Sequence, residues 1–113
     1  MKAGIAVAVA LVAAMTSGPA TAVGMAYGYG ALGCGKFVAA TDEKRAGYPQ
    51  SLNLFMAWLS GFVSYSSLMS EIEYFKGTDS ISVQLWLENY CRANPLEPFN
   101  TAALALLLER TPK

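Results

Sequence analysis

The sequence has no histidine, only two cysteines, and few charged residues. Each scarcity removes a class of function. Without histidine, the usual nucleophilic triad lacks its base and a zinc site loses a common ligand. Acid–base chemistry would fall to carboxylates. The closest separated pair, Glu71 and Glu73, is two residues apart, and such residues on a helix point to different faces. They read as a solvated helix end. Cys34 and Cys91 do not form a CxxC redox motif. No Lys or Arg cluster is present to neutralise phosphates, which argues against nucleic acid as a partner. Asp42, Glu43, Lys44 and Arg45 make the densest charge run and read as a surface turn. The glycines around Tyr27 and Tyr29 lack the lysine and the strand-to-helix context of a phosphate loop. This inventory predicts a protein that is not an enzyme and carries no cofactor or metal.

What is present begins with an export signal. Lys2 supplies a positive start, residues 3–15 (AGIAVAVALVAAM) are an uncharged apolar run, and 16–19 (TSGP) break it. Ala20-Thr21-Ala22 then matches the small-x-small pattern of a signal peptidase site, so cleavage is expected after Ala22. A retained segment would approach the length of a spanning helix, and only an uncleaved signal would bring the chain to a membrane. Pro19 and the small residues after it argue against a continuous span. The expected organisation is a signal peptide over 1–22, a Gly/Tyr-rich leader over 23–33, and one helical domain over 34–113. The whole chain balances eight Lys and Arg against eight Asp and Glu, and loss of Lys2 leaves one negative charge in excess. The expected location is the periplasm of a Gram-negative bacterium. In that oxidising compartment Cys34 and Cys91 are expected to pair, which suits a small domain with a limited core.

Hydrophobic spacing predicts an all-α fold, a bundle of about four helices stapled by one disulfide. A first helix over 34–45 places Cys34, Phe37, Val38 and Thr41 on one face. Gly47-Tyr48-Pro49 punctuates the chain. A second, longest helix then runs from 49 or 50 to between 69 and 74, with Leu52, Phe55, Trp58 or Leu59, Phe62, Tyr65 or Ser66, and Met69 at three- and four-residue steps. No charge occurs between Ala46 and Ser70. The serines and Gln50 and Asn53 make this stretch a central core helix wrapped by its neighbours rather than a lipid-facing span. Ala57, Gly61 and Ser64 would let another helix approach closely. Thr78 or Asp79 caps a third helix to about Arg92, with Val83, Trp86, Leu87, Tyr90 and Cys91 in one stripe. Asn94-Pro95 stops it. Pro98 opens a fourth helix to Arg110, with Phe99, Ala102, Ala103, Leu106 and Leu107 inward. The disulfide therefore ties the start of the first helix to the end of the third. Most aromatics at this spacing are core. Tyr27, Tyr29, Trp58 and Trp86 are the candidates for contact with a protein partner, which includes a second copy of the chain as a homodimer.

The order of Tyr29-Gly30 to Cys34-Gly35, then Trp58-Leu59-Ser60-Gly61-Phe62, then Trp86 to Pro95 (WLENYCRANP) and an Ala/Leu-rich last helix resembles small exported proteobacterial proteins of the HdeA/HdeB-like kind. It is also similar to periplasmic immunity proteins that neutralise type VI secreted cell-wall amidases. The first resemblance implies a chaperone or stress protein, dimeric near neutral pH, that opens in acid to hold unfolded clients. The second implies an inhibitor whose exposed helix face or loop plugs an enzyme cleft. An accessory subunit of an envelope complex is a third expectation. All three are non-enzymatic roles carried by protein contacts.

Overall fold

A computed structural model describes residues 25–113. The signal expected over 1–22, with Ala20 and Ala22 at its cleavage site, and the first two residues of the leader lie outside the described residues. Among the described residues a 3-10 turn (Gly28–Ala31) precedes four α-helices: α1 (Cys34–Arg45), α2 (Gln50–Ser70), α3 (Ser80–Ala93) and α4 (Phe99–Arg110). There is no β-strand among them, only one isolated antiparallel bridge between Gly33 and Pro98.

That bridge decides how two helices begin. The residues before α1 and α4, Gly33 and Pro98, offer no side-chain cap, so the first amides of both helices need other acceptors. Cys34 N–H donates to the Glu97 carbonyl (2.7 Å), and Gly35 N–H to the Pro95 carbonyl (3.1 Å). In return, Phe99 N–H donates to the Leu32 carbonyl (2.7 Å). The leader and the 94–98 turn thus cap each other's helix with backbone alone. α3 starts in the ordinary way, with the Asp79 carboxylate accepting from Ser82 N–H (2.7 Å). α2 ends where Glu71 turns left-handed (φ 59°), and Tyr74 lies beyond the helix, folded back against the core.

α1, not α2, occupies the centre. It touches α2, α3 and α4 and buries Cys34, Phe37, Ala40 and Thr41. The Phe37 ring stacks on Phe99 (4.7 Å) and meets Phe55 edge-on (5.3 Å), which joins α1, α4 and α2 in one aromatic cluster. The expectation that α2 is wrapped by its neighbours is corrected here. α2 buries Leu52, Phe55, Leu59 and Val63, whereas Leu54, Tyr65, Leu68 and Met69 are exposed. Beyond α2 the described chain offers three shorter helices and a leader, all on one side of a helix of 21 residues. Too little chain remains to surround it. Gly61 has open space around it, with nothing within 4 Å of where a Cβ would stand, and Ala57 and Ser64 are exposed beside it, so no helix among the described residues packs on this small-residue stripe.

Cys34 and Cys91 form the disulfide, both fully buried, between the first residue of α1 and the last turn of α3. Loop-closure entropy for a separation of 57 residues corresponds to about 4 kcal/mol. Replacing both cysteines by alanine is expected to remove about 2–5 kcal/mol from the urea unfolding free energy, and an unchanged midpoint would refute a stabilising role.

Candidate partner-contact surface

On α2, Trp58 and Phe62 are four residues apart and therefore share a face. Their rings stack, with centroids 5.2 Å apart and planes within 10°. Asn100 and Leu104, likewise four apart on α4, form the facing wall, and Met25 and Ala26 of the leader close one end. These six residues line a cleft of about 310 Å³, a size that takes one or two apolar side chains of a partner. Leu104 is half-exposed at its rim.

Trp58 is held in this position from three directions. Its indole N–H donates to the Tyr27 carbonyl (2.8 Å), and its ring meets Phe99 edge-on (5.9 Å). The third restraint is Gly30, buried directly against the indole, where an added Cβ would fall inside the ring's van der Waals surface. Only glycine fits that approach. Tyr29, next in the leader, sets its ring edge-on to Phe55 (4.9 Å).

Of the four contact candidates, the structure gathers Tyr27, Tyr29 and Trp58 and separates Trp86. Tyr29 is a packing residue, half-buried. Tyr27 is 78% exposed and contributes a carbonyl rather than its ring. Trp86 stacks on Tyr90 (5.6 Å) along α3 and lines a second groove of about 240 Å³ with Thr78, Ser82, Val83, Leu106, Glu109 and Arg110.

An ionic cluster went unread in the sequence. Glu88 is buried beside Leu87 and Cys91 on α3, and Arg45 donates to it from the end of α1 at 2.6 Å. Arg92 adds two bonds at 2.9 and 3.0 Å and also reaches Asp42 (3.0 Å), which Arg45 contacts too (3.1 Å). Asp42 and Arg45, expected as part of a surface turn, are exposed in the last turns of α1; Arg45 there holds the buried Glu88 carboxylate, and Asp42 accepts from both arginines and orients them. The hydrogen bond from Arg45 holds the Glu88 carboxyl below its usual range, with burial opposing it and Arg92 assisting. Fully engaged by two guanidinium groups, Glu88 is a structural anion. The available signal was the (i, i+4) pairing of Glu88 with Arg92 on the edge of an apolar stripe. No group of His, Cys, Asp and Glu suited to a metal exists among the described residues, and no described helix is long and apolar enough to cross a membrane.

Comparison of the chain with protein-family profiles, with curated proteins and with solved structures finds no match to any of them.

Two outcomes follow from this geometry. Gly30→Ala is expected to cost about 1–3 kcal/mol through overpacking and to shift Trp58 emission to the red, read in a Trp86→Phe background; an unchanged spectrum and melting point would show that the leader yields freely. Glu88→Gln is expected to cost about 2 kcal/mol at neutral pH, below the full penalty for a broken buried pair because both arginines keep contact with water. Since the folded carboxyl is lowered, its stabilisation is complete above the ordinary carboxylate range and is lost as pH falls through the folded value. The gap between wild type and Glu88→Gln in urea melts should therefore close in acid; a gap that widens in acid would reverse the assignment.

Proposed function

We propose that this is an exported, non-enzymatic protein that works by seating apolar side chains of another protein on a preformed surface. The observation that carries the reading is the Trp58–Phe62 cleft, whose aromatic floor is fixed by the Tyr27 carbonyl, Gly30 and Phe99 before any partner arrives. Pre-organised aromatic anchors lower the ordering cost of association. They also match the composition of interface hot spots.

Within this reading, an immunity-type inhibitor of a secreted cell-wall hydrolase suits the rigidity of the molecule. The turn between α2 and α3 is braced from two sides: Arg110 donates to the Tyr74 and Lys76 carbonyls (3.0 and 2.9 Å), and Ser67 donates to the Ile72 carbonyl. A braced turn of this kind suits insertion into an enzyme cleft. The HdeA/HdeB-like chaperone reading is favoured by a different observation, the uncharged and exposed outer face of α2, which would hold unfolded clients. For that role the α1–α3 clamp would have to open, and the lowered Glu88 carboxyl defers its release to more acid conditions than an ordinary carboxylate needs.

A photo-crosslinking side chain at Leu104, with the same group at exposed Lys36 as control, separates these readings in the native envelope. One discrete adduct at neutral pH, absent from the control and lost with Trp58→Ala, is the expected result for a dedicated partner. A broad ladder that grows on acidification would move the assignment to the chaperone. No adduct above the control would overturn the cleft as a contact site.

A further inference from the structure

The outer face of α2 departs from what a helix shows to water. A surface helix normally turns charged residues outward, yet residues 46–70 contain no charge at all. At 100° per residue, Leu54, Ala57, Gly61, Tyr65 and Leu68 fall within one narrow arc opposite the buried stripe of Leu52, Phe55, Leu59 and Val63. All five are exposed, Leu54 at 49%, Tyr65 at 65% and Leu68 at 79%. None of them lines the Trp58–Phe62 cleft.

The arc is self-complementary about Gly61. In an antiparallel pair of such helices crossing at that glycine, Leu54 of each copy meets Leu68 of the other, small Ala57 receives large Tyr65, and Gly61 faces Gly61. A two-fold interface requires that pattern, because each copy presents the same patch to itself. The open space at Gly61 lets two backbones approach closely. Charge selects the direction. α2 carries no acidic residue in its first turn and no basic residue in its last, so the partial charges of its termini are uncompensated. An antiparallel copy sets each terminus beside its opposite and brings exposed Glu71 opposite Ser51, near the positive start of the second helix. A parallel copy would set Glu71 and Glu73 against their own images.

We propose that α2 pairs with α2 of a second copy of this chain, antiparallel and centred on Gly61. This goes beyond the contact role of the cleft and does not depend on it. From Leu54 to Leu68 the helix rises about 21 Å, so the stripe covers a few hundred Å² per copy, on the order of half the roughly 800 Å² per partner of a standard interface. The dimer is therefore weak and exchanges rapidly, with a dissociation constant in the micromolar range or above.

Sedimentation velocity on the mature, disulfide-bonded protein from low micromolar to about 1 mM should show a monomer passing to dimer. Gly61→Glu, which sets two carboxylates on the two-fold axis, should remain monomeric with a thermal melt no lower than that of the wild type, since glycine is the poorer helix former; Leu68→Asp gives the same oligomeric readout if that variant does not fold. Both native cysteines are bridged and buried, so an introduced thiol reacts alone. Gly61→Cys should oxidise to a covalent dimer, and a mixture of Leu54→Cys with Leu68→Cys should cross-link, whereas Leu54→Cys by itself should not. A monomer at every concentration without a Gly61→Cys dimer would overturn the proposal. So would self-linking of Leu54→Cys, which means parallel helices, or retention of the monomer on anionic vesicles through this face, which means a membrane surface.

Discussion

Joining Cys34 to Cys91 fixes the start of α1 against the last turn of α3, and most of the remaining packing follows from that placement. α1 comes to lie between α3 on one side and α2 on the other, with Phe37 reaching both Phe55 and Phe99. α3 and α4 then occupy the flank that α2 would have needed to be enclosed. A helix of 21 residues is left with one clothed side. The buried bridge and the bare face of α2 are two ends of one geometric constraint, the shortage of chain in a small domain.

Charge is distributed to match. Four of the ionic side chains, Asp42, Arg45, Glu88 and Arg92, are drawn together at the α1–α3 junction, and Arg110 is engaged with the carbonyls of the turn after α2. No buried side-chain nitrogen or oxygen among the described residues lacks a partner. The ionic cluster thus reinforces the α1–α3 junction that is already covalently tied, Arg110 braces the turn after α2, and the outer side of α2 carries no charge. A buried carboxylate with three charge-assisted bonds adds geometric specificity more than net stability, because desolvation offsets much of the attraction.

Local patterns made much of this legible. The four helices stand close to where spacing placed them, since Asp79 is a strong cap, Asn94-Pro95 a strong stop, and the Val83, Leu87 and Cys91 stripe has a clean period. The pairing of the cysteines followed from their number and the expected oxidising compartment, and the helices they join followed from the apolar faces. What remained hidden was tertiary. The hydrophobic period identifies an inward face of α2 but does not say how many neighbours exist to cover the other: of the alternatives Tyr65 or Ser66 the half-buried one is Ser66, and Met69, expected inside, is exposed. Glu88 gave no sign of its burial, because its principal partner, Arg45, is distant in sequence. Gly30 gave no sign of its contact with Trp58, which depends on how the leader folds back. The cleft was half legible: Trp58 and Phe62 stand four residues apart on one helix, but Asn100 and Leu104 joined them only through the approach of α2 and α4.

The exchange of caps between the leader and the 94–98 turn has a consequence for how the chain melts. Neither α1 nor α4 owns a start signal, because each borrows its first acceptor from backbone that belongs to the other. Chain ends usually fray independently and at low cost. Here loosening of the leader uncaps α4 through Leu32, and loosening of the turn before α4 uncaps α1 through Glu97. The opening free energies of these distant segments are thereby coupled, and the leader and the 94–98 turn are expected to open as a single cooperative unit.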